Sequence, residues 1–462
     1  MQYQSTRNKN IKVSFKQAVS EGLSIEGGLF VPCSIPDLSA ELPKWVEYDY
    51  AKMARRIFQV FAGDSLSEPE LDHLIKVGLA RFDHPEVTPL VSHGKKHILE
   101  LFHGPTLSFK DVALQNLGHL FELWPLESGQ RTILGATSGD TGSAAIAGLQ
   151  NKKGVRAFIL FPEGRVSPIQ ELQMTTVLDD NIQCLSVEGD FDDCQNIVKT
   201  LFSDREFREK VGLSAVNSIN WSRITAQITY YMYAYTRWLK ATGASWGTKL
   251  NFSVPTGNFG DIFAGYIAKK LGLPIGKLIV ASNENDILTR FFEKGVYEKK
   301  EVVETFSPAM DIQISSNFER LLFLLLNRDD EEMNKIMSDL KEKGSFSVSP
   351  EVLESFKSEF EAARVSNEEG LDVMSRYYKD WDYVIDPHTA IGVGAAEKLL
   401  SPDEDVICLS TAHPGKFQEP VEKALGKSYV LPEGLSSLEK LEKKKDIISA
   451  SVEKVKSILL EE

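Results

Sequence analysis

The sequence holds little of what metal centres, disulfide frameworks or membrane spans require. Only four cysteines occur, none in C-x-x-C spacing, and the eight histidines form no H-E-x-x-H motif, so we expect no metal and no disulfide scaffold. The longest aliphatic run, Leu321–Leu326, is six residues long, whereas a membrane span needs about 20 apolar residues. Met1–Arg7 contains no apolar segment of the kind found in secretory signals. The sequence therefore predicts a cytoplasmic chain with no membrane partner.

Positive charge is also scarce. The chain has 52 Lys and Arg against 66 Asp and Glu, which gives a net charge of −14. Such a surface repels the phosphate backbone of nucleic acids, so no nucleic-acid partner is expected. A site for a small anion would have to be built locally from a few cations and backbone N–H groups. The 42% hydrophobic and 26% charged residues are ordinary for a globular chain and exclude disordered and fibrous classes.

The length of 462 residues suits two or three domains, at roughly 150 residues per domain. Prolines divide residues 1–95 into short apolar runs, which indicate a small mixed region. From residue 96 onward, short β-rich runs alternate with helical patterns, as in βαβ units around parallel sheets. We predict an N-terminal region over 1–95, α/β domains over 96–240 and 241–430, and a C-terminal helix over 431–462.

Helical periodicity predicts three further helices along the chain. They extend over Asp192–Lys210, Pro350–Ala363 and Leu435–Leu460. Ser349 is the predicted N-cap of the second helix, because Pro350 suits the first helical position.

Two glycine-rich turns each follow a predicted strand and precede a predicted helix. They are Thr137–Gly142, after the strand Thr132–Leu134, and Gly257–Asp261, after the strand Lys249–Val254. Such a turn directs unpaired N–H groups at one point, where the helix dipole adds roughly half a positive charge and favours an anion. Neither turn has the Walker A lysine or G-x-G-x-x-G spacing. A tight turn alone is the alternative for either, but two such turns favour a ligand with two anionic groups.

The third feature is a lysine at the start of a helix. Lys110 follows the predicted strand His97–Phe102 and a Gly104-Pro105 turn, with apolar Leu107 and Phe109 close to it. Burial lowers the pKa of a lysine from about 10.4, and a neutral amine can form an imine with an aldehyde. A solvated surface lysine is the alternative, and the apolar neighbours favour the buried one.

Taken in order along the chain, these and other segments resemble the threonine synthase family, in its longer bacterial and fungal form. The resemblance runs nearly end to end and is carried by the segments Ser5–Arg7, Gly27–Pro32, His103–Asp111, Thr137–Ala144, Ser167–Glu171, Asn217–Trp221, Pro255–Asp261 and Thr411–Phe417. It implies an α/β fold of type II among pyridoxal-phosphate enzymes, with two open parallel-sheet domains and a smaller N-terminal region. It also implies a lyase that converts O-phospho-L-homoserine and water into L-threonine and phosphate.

The resemblance also implies which residues hold the cofactor, pyridoxal 5'-phosphate. Lys110 would be the catalytic lysine that bonds covalently to the cofactor aldehyde. Thr411 would face the ring nitrogen and Asp140 the ring hydroxyl. The residues that would cradle the cofactor phosphate are Gly257, Asn258, Phe259, Gly260 and Asp261.

Two further sets of residues would hold the substrate by the same resemblance. Its carboxylate would lie on Ser138, Gly139 and Thr141. Candidates for its phosphate, chosen because arginine matches phosphate oxygens in pairs, are Arg165, Ser167, Asn217 and Arg223.

Two other functions stay open at this point. Another fold type II lyase, such as a threonine or serine dehydratase, would need no second phosphate site. A non-catalytic binder of phosphate ligands would use the same turns without a covalent bond. The oligomeric state also stays open, since a monomer and a homodimer both fit the sequence.

Overall fold

The computed structural model describes residues 1–127 and 129–461. Its strands are β1 (Gln2–Ser5), β2 (Lys12–Ser14), β3 (Phe30–Pro32), β4 (Leu90–His93), β5 (Lys96–Glu100), β6 (Arg131–Ala136), β7 (Val155–Pro162), β8 (Ile182–Glu188), β9 (Leu213–Ser214), β10 (Leu250–Pro255), β11 (Ile275–Ser282), β12 (Val296–Glu298), β13 (Ser345–Ser347), β14 (Phe360–Arg364), β15 (Val406–Ser410) and β16 (Asp446–Ser449).

Helices cover much of the remaining chain. They are α1 (Phe15–Glu21), α2 (Tyr50–Ala62), α3 (Glu68–Leu79), α4 (Lys110–Leu123), α5 (Asp140–Leu149), α6 (Pro168–Thr175), α7 (Phe191–Ser203), α8 (Arg205–Val211), α9 (Trp221–Thr242), α10 (Gly260–Lys270), α11 (Ile287–Lys294), α12 (Phe318–Leu325), α13 (Asp330–Lys343), α14 (Pro350–Glu359), α15 (Asn367–Trp381), α16 (Pro387–Leu399), α17 (Gln418–Leu425), α18 (Glu433–Ser436) and α19 (Val452–Leu460). Short 3₁₀ turns are at Leu42–Glu47, Gly63–Ser65, Pro308–Met310, Pro414–Lys416 and Ser437–Lys440.

Two large sheets organise the chain. One has six strands in the order β14-β11-β10-β15-β5-β4, all parallel except β4, which pairs antiparallel with β5. The other has five parallel strands in the order β16-β8-β7-β6-β9. The strands between helices are almost wholly apolar and buried, as expected for sheets covered on both faces. The predicted α/β class with two open parallel sheets is confirmed.

Sheet membership differs from the predicted domains at three strands. β4, from the predicted N-terminal region, pairs with β5 in the six-stranded sheet. β5, placed with the 96–240 domain by the sequence, pairs with β15 in the six-stranded sheet. β16, from the predicted C-terminal region, pairs with β8 in the five-stranded sheet. The boundaries themselves stay a prediction, but each large sheet recruits a strand from a distant segment.

Helix α9 lies at the centre of the molecule. Most of its residues are buried, and it packs against α2, α4 and α10. The N-terminal region is the small mixed unit that the sequence predicts, with a three-stranded antiparallel sheet, β2-β1-β3, and α1–α3. Among its contacts with the rest of the chain is an ion pair, in which Nη2 of Arg7 lies 2.8 Å from Glu319 on α12.

The predicted helix over Asp192–Lys210 is wrong in its continuity. It is two helices, α7 and α8, divided at Asp204. The Asp204 carboxylate accepts a hydrogen bond from the N–H of Phe207 at 3.0 Å, so it caps a new helix instead of continuing the first.

Two other predicted helices are wrong in extent. The one over Pro350–Ala363 is N-capped by Ser349 as predicted, but it ends at Glu359 because Phe360–Arg364 pairs with β11 as an edge strand. The tail over Leu435–Leu460 contains the end of α18, the strand β16 and α19 in place of one helix. In both cases pairing with a distant strand overrides the local helical pattern.

All four cysteines are free thiols, and Cys184, Cys194 and Cys408 are buried. Over residues 1–127 and 129–461, no helix combines the length and the apolar character needed to cross a membrane.

Candidate active site

The candidate site lies where three strands of the six-stranded sheet end, facing the turn that follows β6 of the five-stranded sheet. The chain leaves β5 toward Lys110, β10 toward the turn Gly257–Asp261, and β15 toward Thr411. The first and last of these segments are joined, because the N–H of Phe109 donates to the carbonyl of Thr411 at 2.9 Å. Ligands of open parallel sheets bind at the carboxyl ends of the strands, so this is the expected edge.

A cavity opens between these segments. It is lined by Lys110, Thr141, Arg223 and Thr411 together with the whole turn Gly257–Asp261. Residues that are up to 301 positions apart in the chain (110 and 411) therefore face one space.

Lys110 begins α4 and is buried, with 7% of its surface exposed. Its Nζ lies 3.4 Å from Oδ2 of Asp140. Burial lowers the pKa of the Lys110 amine; the negative charge of Asp140 opposes this, whereas the positive charges of Lys416 and Arg223 add to it. The net lowering brings the amine closer to the neutral form that reacts with an aldehyde.

Asp140, at the start of α5, accepts from three side chains. Oδ1 lies 2.6 Å from Nζ of Lys416 and accepts from Nε2 of Gln170 at 2.8 Å, while Oδ2 faces Lys110. Burial alone would raise the pKa of this carboxyl, but Lys416 and Lys110 hold it well below its usual range. Asp140 is therefore a fixed negative charge beside the reacting lysine.

The turn Gly257–Asp261 is shaped to bind an anion. Two of its carbonyl groups are occupied: that of Gly257 accepts from Ser315 Oγ at 2.6 Å and that of Asn258 from the N–H of Asn317 at 3.0 Å. Phe259 is left-handed, with φ of 63°. In the described chain, none of the N–H groups of residues 257–260 has a protein acceptor. Free N–H groups at the start of α10 fit a phosphate group.

Asp261 lies in the first turn of α10 and is held by two tyrosines. Its Oδ1 accepts from the hydroxyls of Tyr230 at 2.5 Å and Tyr231 at 3.0 Å. Oδ2 is buried without a hydrogen-bond partner among the described residues. Burial raises the pKa of this carboxyl to about 6, against the lowering effect of the tyrosines and Lys110. The two tyrosines therefore hold Asp261 in place at the start of α10.

Arg223 is a buried cation that lines the same cavity. It is 3% exposed, and its Nη1 donates to the carbonyl of Val216 at 3.1 Å. Its Nε has no partner, and no carboxylate forms a salt bridge with it in the part of the chain that the structure describes. Burial lowers the pKa of the guanidinium to about 10, so it remains charged at neutral pH. A buried charge without a protein partner fits an anionic ligand.

The structure brings most of the predicted site residues together. Six predicted residues do not line the cavity: Ser138, Gly139, Asp140, Arg165, Ser167 and Asn217. Ser138, Arg165 and Asn217 are exposed. Ser167 caps α6 by accepting from the N–H of Gln170. Asp140 also lies behind the lining residues, but it touches Lys110 directly.

Several residues of the site are missing from the sequence predictions, among them Lys416, His388 and Gln227. Lys416 is in the segment that carries the resemblance, yet no local pattern indicates a wholly buried lysine. His388 lines the cavity and its Nδ1 lies 2.8 Å from Asp386, the N-cap of α16. Asp386 followed by proline is a helix-start signal that could have directed attention there. Gln227 lines the cavity from α9 without any sequence signal.

Comparison with known proteins agrees with this arrangement and shows the class of enzyme to which the chain belongs. The family described as pyridoxal-phosphate dependent enzyme matches residues 87–412. The chain is therefore a pyridoxal-phosphate-dependent enzyme of fold type II, which confirms the predicted cofactor.

The narrower family follows from the ends of the chain and from whole-length relatives. The families described as threonine synthase N terminus and threonine synthase, C-terminal match residues 2–78 and 389–459. The threonine synthase of Saccharomyces cerevisiae is 48% identical over 504 residues, covering 100% of this chain and 98% of that protein. The chain belongs to the threonine synthase family.

Solved structures support the same assignment. The crystal structure of pyridoxal-phosphate-bound threonine synthase from Brucella melitensis has a TM-score of 0.94 and 42% identity, and covers 99% of this chain and 98% of that one. The yeast threonine synthase crystal structure has a TM-score of 0.94 and 47% identity, and covers 100% of this chain and 98% of that one.

Proposed function

We propose that this protein converts O-phospho-L-homoserine and water into L-threonine and phosphate. The observation that carries the proposal is the pair of anion sites in one cavity. The turn Gly257–Asp261 offers free N–H groups, and Arg223 offers a buried cation without a carboxylate partner. A cofactor phosphate accounts for one site, and a substrate that carries its own phosphate accounts for the other.

The residues present fit the cofactor. The N–H groups of the turn Gly257–Asp261 would hold its phosphate, Thr411 would face the ring nitrogen, and Asp140 would face the ring hydroxyl. Lys110 would provide the covalent attachment. When bound, pyridoxal phosphate supplies an electron sink for negative charge that develops at the substrate α-carbon.

Lys110 is also the group placed to move protons. With the cofactor bound, the neutral amine of Lys110 would take the proton from the substrate α-carbon and later return one there. The lowered pKa of Lys110 keeps a useful fraction of the amine unprotonated near neutral pH. Asp140, fixed by Lys416 and Gln170, keeps the lysine at the same place throughout.

Two groups of residues would orient the substrate, one at its carboxylate and one at its phosphate. Ser138, Gly139 and Thr141 would bind the amino-acid carboxylate near the start of α5. Arg223 would bind the substrate phosphate from inside the cavity. The further phosphate candidates, which stay predictions, are Arg165, Ser167 and Asn217.

Control of water completes the proposed reaction. Once phosphate has left, water must add at the substrate β-carbon, because water that adds at the α-carbon instead would release a keto acid and ammonia in place of threonine. Apolar Met310 lines the cavity beside the phosphate turn and limits the free space around the substrate. We further propose that the enzyme works in the cytoplasm, as a monomer or a homodimer, on a small-molecule substrate only.

The test is an assay of the purified protein with O-phospho-L-homoserine that measures inorganic phosphate and threonine together. Equal amounts of both products would support the proposal. Turnover of threonine or serine to a keto acid, without turnover of the phosphorylated substrate, would instead show a dehydratase of the same fold. Binding without any product would show a non-catalytic phosphate binder.

A further inference from the structure

A second lysine lies in the site and is buried more completely than the first. The side chain of Lys416 is 0% exposed, against 9% for that of Lys110. Its Nζ lies 2.6 Å from Oδ1 of Asp140 and donates to the carbonyl of Thr106 at 2.8 Å. Burying an ammonium group is unfavourable unless it is paired and hydrogen-bonded, so the role of Lys416 must be sought at these partners.

Asp140 therefore faces two ammonium groups, and the two contacts are unequal. The distance to Lys416 is 2.6 Å, whereas that to Lys110 is 3.4 Å. Two lysines against one carboxylate leave one positive charge in excess. The proton is lost more easily from Lys110, because its contact with the carboxylate is longer and Lys416 repels its charged form.

We propose that Lys416 is a positioning residue that neutralises Asp140, so that Lys110 can lose its proton while Asp140 stays ionised and fixed. This inference rests on the proposed function, in which Lys110 is the lysine that bonds to the cofactor. With Lys110 as its only cationic partner, Asp140 would hold the proton on that amine. Lys416 removes this conflict between anchoring the lysine and keeping it reactive.

Other charged groups also face these two lysines. Arg223 on α9 disfavours the charged form of Lys110, whereas the field of Lys110 in turn lowers the pKa of Asp261 on α10. Asp111, on the first turn of α4, is buried and faces Lys416. These groups are the same in every variant proposed below, so a change between variants reports the Asp140–Lys416 pair.

The test uses the cofactor-free full chain and pyridoxal phosphate itself. The rate of covalent attachment is followed by absorbance as a function of pH, and borohydride reduction with peptide mass spectrometry confirms the site at Lys110. In Lys416→Met, the midpoint of the pH profile should move upward by about one to two pH units. The attachment rate near neutral pH should fall about tenfold or more, because each unit is a tenfold change in the neutral fraction.

Matched variants separate charge balance from folding. Lys456→Met removes a surface lysine of α19 that lies 2.6 Å from Asp204, outside the site, and it should leave the midpoint unchanged. Asp140→Asn, which leaves Lys416 unpaired, should move the midpoint downward. The double variant Asp140→Asn with Lys416→Met should return it toward the wild-type value, since both charges are gone. Thermal melting followed by circular dichroism checks that each variant is folded.

Each result decides a different question. An unchanged midpoint in folded Lys416→Met, or slower attachment at every pH without a shift, would overturn the inference. If Lys416→Met does not fold, the double variant decides: a midpoint near the wild-type value supports the charge balance, and one displaced upward by a unit or more overturns it. Absence of any adduct at Lys110 in the wild-type chain would overturn the proposed function itself.

Discussion

Each of the two glycine-rich turns of the site follows a strand and precedes a helix, but the turns differ in how their backbone N–H groups are satisfied. In Thr137–Gly142, the hydroxyl of Thr137 accepts from the N–H groups of Gly139 and Gly142 at 3.0 and 2.8 Å. The carboxylate of Asp140 in the same turn is paired with buried lysines. In Gly257–Asp261, the N–H groups point to no protein acceptor within the described chain.

This difference indicates that the first turn serves to position the lysine and the second turn to bind an anion. A buried donor without a partner costs about 1–3 kcal/mol, so a fold retains several together only where something else completes them. The first turn bonds two of its N–H groups to the hydroxyl of Thr137 and fixes the reacting lysine through Asp140. The second turn, with Arg223 nearby, is complete only when an anion is bound.

The largest expected effect is at the lysine that the first turn fixes. Lys110→Ala should reduce threonine formation by about 10³-fold or more, because it removes both the covalent attachment and the proton-transfer group. The coupled assay of phosphate and threonine measures it. Lys456→Met, a change of lysine at the surface, is the control and should keep full activity. Unchanged threonine formation in Lys110→Ala would contradict the account.

The next largest effect is at the unpaired cation. Arg223→Met should raise KM for O-phospho-L-homoserine by about 10- to 100-fold, the loss expected for a charge-assisted hydrogen bond. The dissociation constant of pyridoxal phosphate should change much less. Arg165→Ala is the matched comparison, since Arg165 is exposed and does not line the cavity, and its effect on KM should be smaller. Equal losses in substrate and cofactor affinity would assign Arg223 to the fold instead.

A third effect concerns stability and is specific to the second turn. Burial raises the pKa of Asp261 to about 6 from an ordinary value of 3.8. The folded carboxyl therefore binds more protons than the unfolded one between about pH 4 and 6, so its contribution to stability is lost as pH rises through that window. Asp261→Asn should remove this slope and raise the free energy of unfolding of the cofactor-free protein near neutral pH by up to about 3 kcal/mol.

Urea unfolding of the wild type and Asp261→Asn at the two ends of that pH window measures the effect. The amide can still accept hydrogen bonds from Tyr230 and Tyr231, so packing is preserved. Identical pH slopes for the two proteins would show that Asp261 is not the source of the dependence.

The smallest expected effect is at an exposed side chain of the second turn. Asn258→Ala should change the affinity for pyridoxal phosphate by less than about threefold, because backbone N–H groups make the phosphate contacts. Titration of the cofactor-free protein with pyridoxal phosphate measures it. A tenfold or larger loss would place the Asn258 amide among the phosphate ligands.

Local patterns were sufficient to predict the strand–turn–helix units of this fold. The strands and turns before α5 and α10 are predictable because the apolar runs, glycines and helix-start signals that indicate them lie within about ten residues of one another. The same is true of Lys110 at the start of α4. The resemblance added the cofactor and the order of the motifs, which composition and spacing alone did not provide.

What the sequence missed depends on contacts between distant segments. Phe360–Arg364 continues a helical pattern but is a strand, because the edge of β11 is free to pair with it. Lys416 is buried because Asp140, 276 positions earlier (416 − 140), accepts its charge. Neither partner is visible in a window of neighbouring residues, so local pattern reading cannot find them.

The central claim is that Lys110, and not the second buried lysine beside it, bonds to the cofactor. Borohydride reduction of the pyridoxal-phosphate-loaded protein, followed by digestion and peptide mass spectrometry, tests it most directly. The account predicts a single pyridoxyl modification on the peptide that contains Lys110. A modification on Lys416, or no modification on either lysine, would contradict it.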